Sequence, residues 1–311
     1  MSIDLEPGDE QQAIHATLAR FCAERWSEAE QRAHEGLFPA ALWRELARLG
    51  ALALATPEGE GGAAELVAAH EALGAAVFPG PLCASVLAAQ ILPADERRAL
   101  LRGEALVSLG APPLMPFAPS ATLFLVAEGG RIRRATPRGA IAPVETLGGE
   151  PWGRVALEPG EELPADARAF ALHDLAQAAY LAAAGSELVA RTAAHARSRR
   201  QFGRAIGDFQ AVAHPLADCA MRCDAARTLA RAAACAWDAC TADVSALSAA
   251  ARLSARAAAL AAAHTGHQLF GAQGIALEGP VFRISRRIRQ LASQPPDDGA
   301  ARAAVLAPYG L

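Results

Sequence analysis

Two stretches of the sequence carry side chains that suit the binding of an anionic ligand. The first, RSRRQFGRAIGDFQ, covers residues 197–210 and sets Arg199 and Arg200 side by side just before an aromatic ring. A guanidinium offers two parallel donors that match phosphate oxygens. A cation is also favoured at a solvated helix C-terminus by the helix dipole. The local residues alone leave a bound phosphate and a solvated turn as two interpretations.

The second stretch, HQLFGAQG, covers residues 267–274. Gln268 offers an amide for hydrogen bonds, and Gly271 and Gly274 allow a backbone to approach a ligand closely. An ordinary helix terminus with glycine at its end has the same pattern. Spacing alone does not distinguish the two interpretations.

The cysteines give no metal-binding pattern. Cys219 and Cys223 lie one helical turn apart, but alanine and leucine surround them and no histidine keeps ligand spacing with them. We therefore expect buried, reduced thiols and no metal site.

Length, composition and charge restrict the function classes. The 311 residues, with 52% hydrophobic content, suffice for a sizeable core and two or three structural units. The net charge of −4 argues against nucleic acid as a partner. Because no apolar run approaches the roughly 20 residues that cross a bilayer, we expect no membrane span. The N-terminus, MSIDLEPGDEQQ, is too acidic and polar for a secretory signal, so we expect a cytoplasmic protein.

The first region of the chain, residues 1–103, is rich in alanine and leucine at helical spacing. Leu42, Leu46 and Leu49 fall three or four residues apart, as one helix face requires. Gly50 is expected to end that helix. We interpret this region as a helical domain.

The middle region, residues 104–165, holds many prolines and glycines. Between them lie short β-like runs over residues 121–127, 131–135 and 152–158. This texture predicts a small β domain of a few strands.

The last region, residues 166–311, returns to helical patterns. Helices are predicted over residues 168–197, 209–240, 243–272 and 280–292. Asp208 is expected to cap the second of these helices. The alanine density favours close antiparallel packing, as in a four-helix bundle. The fold class is therefore predicted as mainly α with a small β domain.

The layout and the local motifs together resemble the acyl-CoA dehydrogenase family along nearly the whole chain. The N-terminal part is similar in DEQQAIHATLARFCAERW, LWRELARLGALALATPEGEGG and HEALGAAVFPGPL. The stronger matches are RRQFGRAIGDFQAVAHPLADC and HQLFGAQGIALEGPVFRISRRIRQ, in that order and separated by roughly 65 residues after the β region. The resemblance implies an N-terminal helical domain, a reduced β middle domain and a C-terminal four-helix bundle.

The family's chemistry is the α,β-dehydrogenation of an acyl-CoA thioester. A glutamate removes the α proton while the β carbon gives a hydride to the flavin of FAD, which does the redox work. The resemblance assigns Arg199 to the FAD pyrophosphate, and the implied contacts to the nucleotide tail come from six residues: Arg199, Gln201, Phe202, Gln268, Gly271 and Gly274. Ala272 stands where the family usually has a second glycine. In the family both motifs reach the FAD of a neighbouring subunit, which implies an oligomer.

The sequence departs from the family at the catalytic base. The position of the usual glutamate falls at Pro295, and the alternative position on an earlier helix falls at His173, beside Asp174. From residue 201 to the end, Glu278 is the only glutamate. The family's Thr-Glu-Pro and Gly-Ser-Asp segment, which helps to hold flavin and acyl chain, is replaced by SLGAPPLMPFAPSA in a β domain of about 60 residues.

These departures predict a chain that holds the nucleotide tail of FAD but has no catalytic residue of its own. The expected partner is a larger acyl-CoA dehydrogenase subunit that carries the catalytic glutamate, with an acyl-CoA substrate and a separate electron acceptor. A homomer that uses another base, either His173 with Asp174 or Glu278, is one alternative. A non-catalytic scaffold of the same fold is another.

Overall fold

A computed structural model describes residues 5–294 and 298–310 of the chain. Six helices form the N-terminal part: α1 (Asp9–Arg25), α2 (Glu28–Ala33), α3 (Ala40–Arg48), α4 (Ala63–Ala75), α5 (Leu82–Ile91) and α6 (Ala94–Leu101).

The predicted apolar face on α3 is confirmed for two of its three leucines. Leu42 and Leu46 are buried together with Trp43. Leu49 lies beyond the last helical residue and is exposed. Gly50 follows it with φ of 80°, a conformation that ends the helix as expected.

A five-stranded sheet follows the N-terminal helices. Its strands are β1 (Val107–Gly110), β2 (Leu114–Pro116), β3 (Leu123–Glu128), β4 (Arg131–Val144) and β5 (Trp152–Leu163). Their order is β1-β3-β4-β5-β2, with β1 parallel to β3 and all other pairs antiparallel. The hydroxyl of Ser108 donates to the carbonyl of Pro116 at 2.6 Å, so the two edge strands meet and the sheet nearly closes on itself.

The three β-like runs of the sequence lie in β3, β4 and β5. Strands β1 and β2 were not predicted, because they are short and lie among prolines and glycines. It also missed the second half of β4, which is interrupted by Gly139 and a shift of register against β5. The predicted strands were too short, because each was taken to end at the first proline or glycine.

The C-terminal part is helical, and its four long helices agree closely with the predicted ranges. Its helices are α7 (Ala167–Ser198), α8 (Gln210–Asp238), α9 (Val244–Phe270), α10 (Ala272–Ile275), α11 (Phe282–Ala292) and α12 (Asp298–Leu306). The expectation that Asp208 caps α8 was wrong. Asp208 belongs to a 3-10 turn, and Phe209 occupies the capping position without a side-chain hydrogen bond.

Helices α7 and α9 run parallel to each other, and α8 is antiparallel to both. The register is set by an ion pair between Asp174 and Arg252 near the two helix starts. Further along, a Cβ atom added at Gly185 would lie 3.1 Å from the Cα atom of Ala259. Because Gly185 has no side chain, the backbones of α7 and α9 can approach each other closely. At the other end of α8, the indole of Trp237 donates to the carbonyl of Arg168 at 3.2 Å.

The expected burial of the two thiols on α8 is confirmed. Cys219 and Cys223 are both buried free thiols, and burial raises the pKa of Cys223 to about 11. Over residues 5–294 and 298–310 no group of histidine, cysteine and carboxylate side chains is arranged to hold a metal ion. No helix within those same ranges is long and apolar enough to cross a membrane.

His70 on α4 makes the stability of the fold dependent on pH. It is buried, its Nδ1 donates to the carbonyl of Leu66 at 2.9 Å, and burial lowers its pKa from 6.5 to about 4. The unfolded chain therefore binds a proton at a higher pH than the folded chain. Its contribution to stability is complete above pH 6.5 and is lost as the pH falls toward 4.

We predict that the free energy of unfolding falls by roughly 2 kcal/mol between pH 7 and pH 4.5 through His70 alone, since one unit of pKa corresponds to about 1.4 kcal/mol. Urea denaturation of the native protein and of His70→Gln at pH 7 and pH 4.5 measures it. The His70→Gln variant should lose less unfolding free energy between pH 7 and pH 4.5 than the native protein does. Equal losses in the two proteins would contradict the assignment.

Candidate functional site

Both anion-suited stretches lie where a long bundle helix ends. Arg199 follows the last residue of α7, and its backbone N–H donates to the carbonyl of His195 at 2.8 Å. Gly271 follows the last residue of α9, and its N–H donates to the carbonyl of His267 at 3.0 Å. Because α7 and α9 run parallel, the two stretches lie at the same end of the bundle.

An aromatic contact joins these two helix ends. The imidazole of His195 stacks on the ring of Phe270, with centroids 4.1 Å apart and ring planes inclined by 22°. Phe270 is 9% exposed and His195 is half-buried. Burial and the nearby charge of Arg199 lower the pKa of His195, which favours the neutral form of its ring.

The segment between α7 and α8 is a β-hairpin that the sequence did not predict. Its strands are β6 (Arg200–Gln201) and β7 (Arg204–Ala205). Phe202 and Gly203 form the turn, with φ of 53° and 81°. Positive φ at both central residues is the geometry that suits a two-residue hairpin. The turn presents the ring of Phe202, which is 91% exposed, to the outside of the subunit.

The hairpin carries positive charge that no carboxylate among the described residues neutralises. Arg199 and Arg200 are exposed, and neither forms an ion pair with any residue in the described ranges. The guanidinium of Arg204 instead lies 4.0 Å from the ring centroid of Phe209. Unpaired guanidinium groups on a rigid hairpin are suited to an anion such as a phosphate.

The end of α9 supplies a second exposed surface. Gly271 has φ of 59° and ψ of −132°, a conformation that residues with a side chain rarely adopt, and a Cβ atom added there would meet open space. Gln268 is exposed one turn earlier. Gly274 is buried, and a Cβ atom there would lie 3.1 Å from the Cα atom of His267. Gly274 therefore packs closely against the last turn of α9.

The predicted tail-binding residues thus lie at one end of the bundle, and we call the exposed surface there the tail face. It comprises Arg199, Gln201, Phe202, Gln268 and Gly271, all exposed, with Gly274 packed beneath. A face that is open to solvent contacts a ligand from one side only. A second surface is needed to enclose a dinucleotide against it.

A cleft of about 520 Å³ lies between the sheet and α11, and sequence reasoning did not find it. We call it the sheet cleft. Its walls include Leu147, Trp152, His267, Phe282, Ser285 and Gln290. These residues come from four separate parts of the chain, so no local sequence motif predicts the cleft.

Three residues that line the sheet cleft carry buried polar atoms that lack hydrogen-bond partners among the described residues. They are the indole nitrogen of Trp152, Nδ1 of His267 and both side-chain polar atoms of Gln290, a residue that is 8% exposed. Nε2 of His267 lies 2.7 Å from the hydroxyl of Ser285. Unpaired buried polar groups are costly, which is why such a cleft suits a ligand with complementary donors and acceptors.

The candidate bases do not reach the sheet cleft. His173 is buried within the bundle, 3.4 Å from the carboxylate of Asp174, which in turn lies 2.9 Å from the guanidinium of Arg252. Glu278 is exposed and lines a shallow depression elsewhere on the surface. Pro295 lies outside the described residues. Among residues 5–294 and 298–310, no carboxylate lines the sheet cleft.

Three of the four arginines of α11 differ from those of the hairpin because a carboxylate neutralises each of them. Arg283 and Arg286 both pair with Glu35. Arg287 is buried and pairs with Glu150 of the β4–β5 loop. Its guanidinium also donates to the hydroxyl of Tyr180 on α7 and to the carbonyl of residue 80, both at 3.1 Å. Arg287 therefore fastens all three regions of the chain together.

The domain models for acyl-CoA dehydrogenases match both helical parts of the chain. The N-terminal domain model matches residues 8–93 and the C-terminal domain model matches residues 165–293. A curated relative, acyl-CoA dehydrogenase IpdE2 of Mycobacterium tuberculosis, is 33% identical over 306 residues, which covers 91% of this chain and 92% of that protein. The chain belongs to the acyl-CoA dehydrogenase family.

Solved structures support the same fold. The Tcur3481-Tcur3483 steroid ACAD gives a TM-score of 0.83 at 24% identity and covers 97% of this chain and 99% of that one. The FAD complex of PigA gives a TM-score of 0.83 at 18% identity and covers 99% of this chain and 100% of that one. The ChsE4-ChsE5 complex from Mycobacterium tuberculosis gives a TM-score of 0.78 at 23% identity and covers 99% of this chain and 98% of that one. The fold class is confirmed, and FAD is the cofactor that the family supports.

We predict that Glu150→Gln lowers the free energy of unfolding by roughly 3–5 kcal/mol, because it leaves the charge of Arg287 buried without a counter-ion. Glu158→Gln is the matched control. Glu158 pairs with Arg138 at the surface, where the loss is expected to stay under about 1 kcal/mol. Urea denaturation of both variants measures the difference. If both variants lose the same small amount of unfolding free energy, the buried guanidinium of Arg287 does not need Glu150 as its counter-ion.

Proposed function

We propose that this chain is a subunit of a heteromeric acyl-CoA dehydrogenase. It supplies contacts to the nucleotide tail of FAD, while a larger partner subunit supplies the carboxylate that removes the substrate's α proton. The observation that carries the proposal is the tail face, where unpaired arginines and an exposed glutamine converge at one end of the bundle. The lack of a carboxylate in the sheet cleft, among the described residues, supports the assignment of the base to the partner.

The residues of the tail face fit the nucleotide end of FAD. Arg199 is free to offer two parallel N–H donors to pyrophosphate oxygens. Arg200 adds positive charge, and the exposed ring of Phe202 offers an apolar surface to the dinucleotide. Gln268 contributes amide groups across from the hairpin. The bound FAD would supply the acceptor for the hydride, and these side chains would hold and orient it.

A partner chain fits the open character of the tail face. The pyrophosphate would lie between this surface and a second one, from which the flavin ring and the acyl-CoA are held. The ChsE4-ChsE5 complex, which shares the fold, is a precedent for two different chains in one assembly. Electrons collected by the flavin would leave to a separate acceptor, which the family's chemistry requires.

The sheet cleft favours a second candidate, a homomer in which the chain holds a flavin ring itself. The unpartnered polar atoms of Trp152, His267 and Gln290 would then meet donors and acceptors on a planar ring. This arrangement still lacks a described carboxylate next to the ring. It therefore requires a base from elsewhere, and it ranks second for that reason.

We predict that the chain expressed alone is purified without flavin and without dehydrogenase activity, and gains both when co-expressed with a larger acyl-CoA dehydrogenase from the same genome. The absorbance spectrum near 450 nm, about where oxidised flavins absorb, reports occupancy. An active yellow homomer would support the second candidate instead. A chain that stays colourless with every partner would support a non-catalytic scaffold.

We predict that Arg199→Ala weakens FAD binding in the flavin-containing assembly by more than tenfold, since a charge-assisted hydrogen bond contributes about 1.5–3 kcal/mol. Arg197→Ala is the matched control, because Arg197 is an exposed arginine on the last turn of α7 that lies outside the tail face. Fluorescence of released flavin measures the dissociation constant. Equal affinities of Arg199→Ala and Arg197→Ala would remove Arg199 from the site.

A further inference from the structure

The tail face is built from two helix ends that belong to distant parts of the sequence. The hairpin depends on the last turn of α7, because the carbonyl of His195 accepts the N–H of Arg199 at 2.8 Å and the hydroxyl of Ser198 at 3.1 Å. The N–H of Ile206 returns to the carbonyl of Arg199 at 2.8 Å. A change in the position of residue 195 therefore shifts the base of the hairpin.

The other half of the tail face depends in the same way on the last residue of α9. Phe270 directly precedes Gly271, the residue at which the chain turns away from the helix axis. The Cβ atom of Phe270 also lies 3.1 Å from where a side chain on Gly274 would begin. Phe270 is thus adjacent to Gly271 in the chain and packed closely against Gly274.

The stacked rings connect these two halves directly. His195 and Phe270 lie face to face with centroids 4.1 Å apart, and each ring is within one helical turn of the residues that face the ligand. Neither ring belongs to the tail face, since Phe270 is buried and His195 is half-buried between the helices. The lowered pKa of His195 supports this arrangement, because a neutral imidazole can stack on a buried ring without leaving a charge out of water.

We infer that His195 and Phe270 form a positioning pair that sets the spacing between the Arg199 hairpin and the Gly271 turn, and so determines how tightly the tail face holds a dinucleotide. The inference rests on the proposed function of the tail face. A ligand that touches both halves is sensitive to their separation, because contacts displaced by about 1 Å lose most of their value. His195 is a positioning residue in this account and does not contact the cofactor.

The test uses the assembly in which the chain carries flavin, with FAD itself as the probe. His195→Ala should raise the dissociation constant of FAD about tenfold, while the assembly keeps its size and its melting temperature without flavin. His195→Phe, which preserves a flat ring for stacking, should stay within about twofold of the native value. A role in folding alone would instead lower the melting temperature without that selective effect on FAD.

Two further variants sharpen the result. Phe270→Leu keeps most of the apolar volume but removes the stack, and it should weaken FAD binding as much as His195→Ala, with no additional loss when the two are combined. His264→Ala is the control, because His264 is an exposed histidine on the same end of α9 outside the stack. It should bind FAD as the native chain does.

Each outcome decides one statement. Native affinity in His195→Ala, or an equal loss in His195→Ala and His195→Phe, would overturn the positioning pair. If Arg199→Ala weakens FAD binding in the same assay while His195→Ala does not, the pair fails and the tail face stands. If neither substitution changes the affinity, the proposed function fails together with the pair.

Discussion

The parallel packing of α7 and α9 is the constraint on which the tail face depends. Small residues such as Gly185 and Ala259 allow the two backbones to approach closely, and the Asp174–Arg252 ion pair sets their register at the other end. Two helices of similar length that start together also end together. Two motifs that are distant in the sequence therefore emerge side by side, without any direct sequence link between them.

The arginines of α11 and those of the hairpin differ in what surrounds them. On α11, Arg283, Arg286 and Arg287 pair with Glu35 or Glu150, which come from regions far away in the sequence, and Arg287 holds the three regions of the fold together. Those of the hairpin meet no described carboxylate and remain available to an anion. The two groups look alike in the sequence, because nothing local shows which arginine has a distant counter-ion. The difference between a structural and a binding arginine here is a property of the tertiary fold.

The sequence predicted the long helices and the family well, because apolar periodicity and two extended motifs are strong local signals. It missed the hairpin, since Phe202 at positive φ breaks the usual preference for glycine. It also missed the sheet cleft, whose polar atoms are brought together only by packing. His173 was a reasonable candidate base from its position in the sequence, but the fold buries it behind Asp174 and Arg252. The limits of the three domains and the roles of the six tail residues remain predictions.

The account as a whole describes a chain that contributes one side of a cofactor site. An electron-density map of the flavin-containing assembly tests this most directly, since it locates the FAD relative to each chain. The account predicts the pyrophosphate within hydrogen-bonding distance of the Arg199 guanidinium and the flavin ring beside a carboxylate of the partner. A map with the whole FAD enclosed by this chain, ring in the sheet cleft and Arg199 facing solvent, would contradict it.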